Sequence, residues 1–131
     1  MNVFVDASAW VAIIVKEADA FELEKVFGAA EHRFYSAISL WETSRAISRL
    51  RSVPITIAAL EVQLFISDFD MQQVVIGERE AQLAIEAHAR YGKGVHPARL
   101  NMGDCFAYAC ARTNNARLLY KGDDFSQTDL A

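Results

Sequence analysis

Five carboxylates in this chain stand where ordinary surface acids rarely do: Asp6, Glu42, Asp104, Asp123 and Asp124. Asp6 ends the apolar run Val3-Phe4-Val5 and is followed by Ala7 and Ser8. Such a run, β-branched and aromatic without alternation, reads as a strand buried on both faces. Asp6 then lies just past the strand's carboxyl end, the edge at which open α/β sheets bind ligands. Glu42 sits one turn into a helical pattern, with Ile38 and Ala46 four residues to either side. Asp104 opens a helical pattern directly ahead of Cys105, Phe106 and Ala107, and Asp123 and Asp124 follow the last apolar run. In a parallel sheet the strand ends and the starts of the following helices share one edge, so Asp6, Asp104 and Asp123 or Asp124 can converge there.

Carboxylates gathered within a few ångströms repel, and some take up protons unless a cation neutralises them. No Cys or His stands at matching ligand spacing. An all-oxygen site favours Mg²⁺, with Mn²⁺ as a substitute, over zinc. An ion held in this way suits attack of an activated water on a phosphodiester. Ser8, two residues after Asp6, is placed to orient a carboxylate or a water. Each acid alone has a plainer use. Asp6 and Asp104 can cap helices, Glu42 can be a solvated helix residue, and Asp123-Asp124 can be a turn pair. Their joint placement carries the reading.

The elements that must position these acids alternate between strand and helix. A strand at Val3–Val5 leads to an apolar helix, 9–15, and an amphipathic one, 18–27, stopped by Gly28. Phe21 falls off the apolar stripe of the second helix. Strand two is Arg33-Phe34-Tyr35. Ser36 caps a helix reaching Leu50, with Leu40, Ile47 and Leu50 inward. After Pro54, Thr56 caps a helix 57–69 that carries Leu60, Leu64 and Phe65. Strand three is 72–76, a helix runs 78–91, 93–99 is a loop, and Asn101 or Gly103 begins a helix to about Thr113. Strand four is 117–120, and 122–129 is a polar tail or loop. Connections this long call for right-handed crossovers. The expected architecture is a three-layer α/β/α sandwich on a central, mainly parallel sheet of four to five strands, as one domain over residues 1–131.

Composition narrows the class. The chain has 131 residues, 53% hydrophobic and 23% charged, which describes a folded globular protein. No apolar stretch approaches the roughly 18 residues of a membrane span, and Met1 leads straight into the first strand, so no leader is expected. Cys105 and Cys110, five apart on a helix, face away from each other, which points to reduced thiols and a cytoplasmic location. The net charge of −4 argues mildly against tight non-specific nucleic-acid binding. The signs are uneven, however: Arg45, Arg49 and Arg51 crowd one segment, so a basic rim can coexist with an acidic centre. Arg45, Arg49, Lys93, Arg99 and Lys121 are candidate phosphate contacts, with solvated surface as their default. His32, His88 and His96 are scattered and read as structural or exposed. Trp10 and Trp41 read as core or interface aromatics. No Gly-rich phosphate loop or nucleophile elbow is present.

Val3-Phe4-Val5-Asp6-Ala7-Ser8-Ala9, the Glu42 helix, Leu100-Asn101-Met102-Gly103-Asp104-Cys105-Phe106-Ala107-Tyr108-Ala109 and Leu118-Leu119-Tyr120-Lys121-Gly122-Asp123-Asp124-Phe125 resemble the PIN-domain VapC toxins of bacterial toxin–antitoxin pairs. The resemblance spans essentially the whole chain. It implies a Mg²⁺-dependent endoribonuclease with Asp6, Glu42 and Asp104 as an acidic triad at the metal, and a fourth acid that is either Asp123 or Asp124. It also implies a homodimer acting on RNA and a VapB-like antitoxin that blocks the site, for which the surface of the first helices, with Trp10 and Phe21, is a candidate docking area. Two other readings compete. An aspartyl-phosphate phosphohydrolase would use Asp6 as nucleophile, but such enzymes resembling the haloacid dehalogenase family carry an Asp where this chain has Ser8. A non-catalytic binding module on the same fold is the other, and the full acid set argues against it.

Overall fold

The computed structural model describes residues 1–131. The chain builds β1 (Asn2–Val5), α1 (Ala7–Ile14), α2 (Phe21–Ala29), β2 (His32–Ser36), α3 (Ala37–Arg51), α4 (Ile55–Asp68), β3 (Gln72–Val74), α5 (Glu78–Tyr91), α6 (Met102–Thr113) and β4 (Arg117–Leu119). The four strands form one parallel sheet in the order β3-β2-β1-β4. The chain steps outward from β1 to β2 to β3, then returns through α5 and α6 to place β4 on the other side of β1. The reversal puts a topological switch point at the carboxyl ends of β1 and β4, where open α/β sheets leave a crevice.

Alternation along the central strands separates two cores. Phe4 and Leu118 point to one face, into a cluster with Ala84 and Ala87 of α5 and Tyr108, Ala109 and Cys110 of α6. Val3, Val5 and Leu119 point to the other, against Trp10 of α1, Phe27 of α2, Ile47 of α3 and Val62 of α4. The result is the expected α/β/α sandwich. Small residues at Ala107, Ala109 and Ala111 let α6 lie close to the sheet.

Several expectations change. The helix after Pro54 begins at Ile55, with Pro54 itself in the capping position and no side-chain cap, so Thr56 lies within the first turn. Pro at a helix start removes an N–H that would lack a partner in any case. Along α4, Ala58 and Val62 are buried while Leu60 and Leu64 are exposed, and Leu50 at the end of α3 is exposed too. Gly28 lies inside α2, which runs to Ala29. Trp10 is fully buried, in tilted contact with Tyr35 and Phe65, and so is no part of a docking surface. Trp41 is 57% exposed, so it is not a core aromatic, whereas Phe21 is exposed as expected. The segment after β4 is no mere polar tail: Phe125 is buried, packs beside Tyr120 and joins the α5–α6 core. Cys105 and Cys110 are free and buried, with their thiols pushed up to about 11 and about 12 by desolvation.

Phe4 fills the centre of the sheet's α6 face. Phe4→Ala should lower stability by about 3–5 kcal/mol in urea denaturation followed by circular dichroism.

Candidate active site

Asp6 is the first residue beyond β1. Its amide donates to the Leu119 carbonyl of β4 at 2.9 Å, which fixes the backbone at the switch point. Its side chain caps α1: Oδ2 accepts from the Ser8 amide at 3.1 Å and from Ser8 Oγ at 2.5 Å. The plainer capping role therefore holds, and the carboxyl is nonetheless held above the usual Asp range, first by burial and then by the charge of Asp124, against the lowering hydrogen bonds from Ser8. Ser8 Oγ also accepts the Lys121 amide at 3.0 Å. One hydroxyl thus ties the exit of β4 to the Asp6 carboxylate.

Asp104 stands in the first turn of α6 and joins a capping box. Asn101 Oδ1 accepts from the Asp104 amide at 2.9 Å, and Asp104 Oδ2 accepts from the Asn101 amide at 3.1 Å. Burial, opposed by the Asn101 bond and reinforced by the charges of Asp6 and Asp124, raises its pKa to about 6. Glu42 reaches the same place from α3. Burial and then the charges of Asp6 and Asp104 raise its pKa to about 7. Its carboxylate lies over Gly103, where a Cβ would overlap its oxygens. Gly103 is the seat that lets α3 and α6 close over the sheet edge.

Asp123 and Asp124 are exposed, in a turn that begins with Gly122 at φ +94°, a conformation that favours glycine. Asp124 contributes its charge to Asp6 and to Asp104, while Asp123 is not among the causes of either shift. The structure thus brings Asp6, Glu42 and Asp104 to one sheet edge, and the charge of Asp124 reaches the two aspartates. The histidines do not enter. His32 and His88 are exposed, and His96 packs edge-on against Tyr91 and accepts from the Ala98 amide.

Two residues take roles at the site that the sequence did not assign them. Gly103 is one, and a poor helix former inside the first turn of a helix was its signal. The other is Lys121, a candidate phosphate contact in the sequence, whose ammonium instead pairs with Glu17 and with Asp19 (3.1 Å), clamping the α1–α2 turn to the exit of β4. The side chains as they stand do not close three donors around one point. The donor set is nonetheless all carboxylate oxygen, and its members oppose one another's ionisation, which is the chemistry a hard divalent cation satisfies.

A profile of the PIN domain matches residues 3–130. The chain is 41% identical to a VapC ribonuclease of Rhizobium meliloti (strain 1021), with 97% of this chain and 98% of that one covered. It is 36% identical to ribonuclease VapC30 of Mycobacterium tuberculosis (strain ATCC 25618 / H37Rv), over 97% and 95% of the two chains. Among solved structures it is similar to the Mycobacterium tuberculosis toxin VapC20, a sarcin–ricin loop cleaving toxin, with a TM-score of 0.71 at 20% identity over 95% and 92% of the chains. It is similar too to VapBC2 of Rickettsia felis, solved bound to a promoter DNA fragment, with a TM-score of 0.73 at 16% identity over 99% and 95%. The chain belongs to the PIN-domain family and, within it, to the VapC-type toxins.

An acid whose pKa is higher in the folded than in the unfolded chain costs stability as pH rises, because the folded state then holds the extra proton. For Glu42 the window runs from its ordinary value of 4.5 up to about 7. In chelator, the melting temperature should therefore fall across that window. Glu42→Gln should remove part of the fall, as read from the difference between the two pH–melting curves.

Proposed function

We propose that this chain is an endoribonuclease, the toxin of a toxin–antitoxin pair, which hydrolyses RNA phosphodiester bonds with Mg²⁺ or Mn²⁺ held by its acids. The observation that carries this reading is the convergence of Asp6, Glu42 and Asp104, with the charge of Asp124, at the β1/β4 switch point. The ribonuclease names of its relatives support it.

Asp6 and Asp104 would hold the ion, with Glu42 joining them directly or through water. Asp124, exposed and coupled to both aspartates, takes the part of the fourth acid in preference to Asp123. Held by these acids, a divalent cation would supply polarisation of the scissile phosphate and a lowered pKa for an attacking water. Ser8 fixes the Asp6 carboxylate through Oδ2, and the Asn101 amide fixes Asp104, so each aspartate is held by a local cap rather than left to rotate. Glu42 at about 7 and Asp104 at about 6 hold part of their protons near neutrality without a cation, and binding one would displace those protons.

With Mg²⁺, the purified chain should cut single-stranded RNA, and chelator should stop it. Asp6→Asn should reduce cleavage by more than about 100-fold, and Asp124→Asn by about 10–100-fold. Asp123→Asn should leave it within about 2-fold. Gel analysis of labelled RNA reads all three, and wild-type cleavage by Asp6→Asn would sink the assignment.

The same reading supplies a VapB-like antitoxin, a homodimer and a cytoplasmic location, where buried thiols stay reduced and RNA is at hand. A cleft of about 500 Å³ between α1, α2 and α4, lined by Ile13, Phe27, Leu64, Phe65 and Phe69, offers the antitoxin an apolar docking groove. Leu64 is exposed. Leu64→Lys should therefore leave the fold intact and reduce co-purification of the antitoxin by about 10-fold or more. Unchanged recovery would exclude the cleft.

A further inference from the structure

Along α3, Trp41, Arg45 and Arg49 follow one another at four-residue spacing, and all three are exposed. They make a ridge about 12 Å long, each step about one helical turn. Arg45 and Arg49 stand three and seven residues beyond Glu42, on its flank of the helix. The ridge therefore leads away from the acidic centre. The Arg45 guanidinium lies over the Trp41 ring, 5.7 Å from its centroid. Neither Arg45 nor Arg49 is in a salt bridge, whereas neighbouring Arg51 is held by both oxygens of Glu61. In an acidic protein these are two uncompensated guanidinium groups next to an exposed indole, beside the carboxylates where phosphate chemistry is proposed.

We infer that this ridge is the track for a single-stranded RNA segment, with an unpaired base stacked on Trp41 and the adjoining phosphates met by Arg45 and Arg49. The inference rests on the ribonuclease reading above and adds the subsite that holds the substrate. An indole more than half exposed and already backed by a guanidinium has the composition that stacks any base without reading its edge. Two guanidinium groups one turn apart suit successive phosphates, and their positive charge offsets the repulsion that the acidic centre exerts on RNA. A base-paired segment buries its π-faces within the stack, so the ridge selects for loops and unpaired ends.

The test separates binding from cleavage. The Asp6→Asn protein, in chelator, is titrated against a short fluorescein-labelled single-stranded RNA of mixed sequence, and anisotropy is followed across a salt series. Trp41→Ala should weaken binding by roughly 5- to 100-fold without changing the slope of log affinity against log salt. Trp41→Phe should restore most of the loss. Arg45→Ala with Arg49→Ala should reduce that slope by about 1.4, or about 0.7 for each lost phosphate contact. A duplex of the same sequence should bind more weakly than the single strand. The inference is overturned if the Trp41→Ala protein binds as its parent does, if the parent binds no RNA at low salt, or if the duplex binds as well as the single strand. It is also overturned if affinity falls only in step with a shift from dimer to monomer in sedimentation, which would make the ridge a contact between copies. Metal-dependent cleavage by the unaltered chain is measured separately, so failure of the nuclease reading is seen there and not in these titrations.

Discussion

Mutual repulsion among carboxylates is the constraint around which the rest of this structure is arranged. Asp6, Glu42 and Asp104 come from three separate stretches of chain and meet at one sheet edge, where burial and each other's charge push them towards the neutral form. Such a cluster opposes folding when fully ionised. It persists because each member is fastened by its own local structure: Asp6 by the α1 cap, Asp104 by the α6 capping box, and Glu42 by its seat on Gly103. The two helix caps are the bland uses of an aspartate, and the structure combines them with the less ordinary one. A capping carboxylate spends one oxygen on the backbone and is oriented by doing so.

The fastening extends beyond the acids. Ser8 Oγ accepts a hydrogen bond from the Lys121 amide and donates one to Asp6, while the Lys121 side chain reaches back to Glu17 and Asp19. The turn after α1 and the exit of β4 are thereby joined on both sides of the Asp6 carboxylate. Exposed ion pairs contribute little stability singly. Their value here is geometric, since they fix the loop from which Asp124 acts on the two buried aspartates.

Much of this was legible in the residues. The abrupt change from Val3-Phe4-Val5 to Asp6 marked a buried strand with an acid at its end, and all four strands and the limits of α5 follow from apolar runs and their punctuation. The chain's order of strands and helices was enough to bring Asp6 and Asp104 to one edge. What periodicity could not reach was the choice of face in α4, which is apolar nearly all round. Leu60, Leu64 and Phe65 gave no face by themselves, and Ala58 and Val62 are the buried residues, because α3 packs closely and admits the smaller side chains. Trp10 and Trp41 show the same limit: two indoles in similar helical contexts, one enclosed by Tyr35 and Phe65 and the other left in solvent. The left-handed turn at Gly122, which carries Asp123 and Asp124, has a backbone conformation that no residue pattern specifies.

The position of β4 bears on how such a protein is made. β4 pairs only with β1, yet it follows every other element in the chain, and the Asp124 turn and the buried Phe125 come after it. During synthesis from the N-terminus, a ribosome-bound chain that has not yet extruded residues 117–131 has β1 with one open side. Ser8 in that chain has no Lys121 amide to accept, and the charge of Asp124 is missing from the sheet edge. Translation order thus leaves the sheet edge that holds Asp6 unfinished until residues 117–131 have emerged.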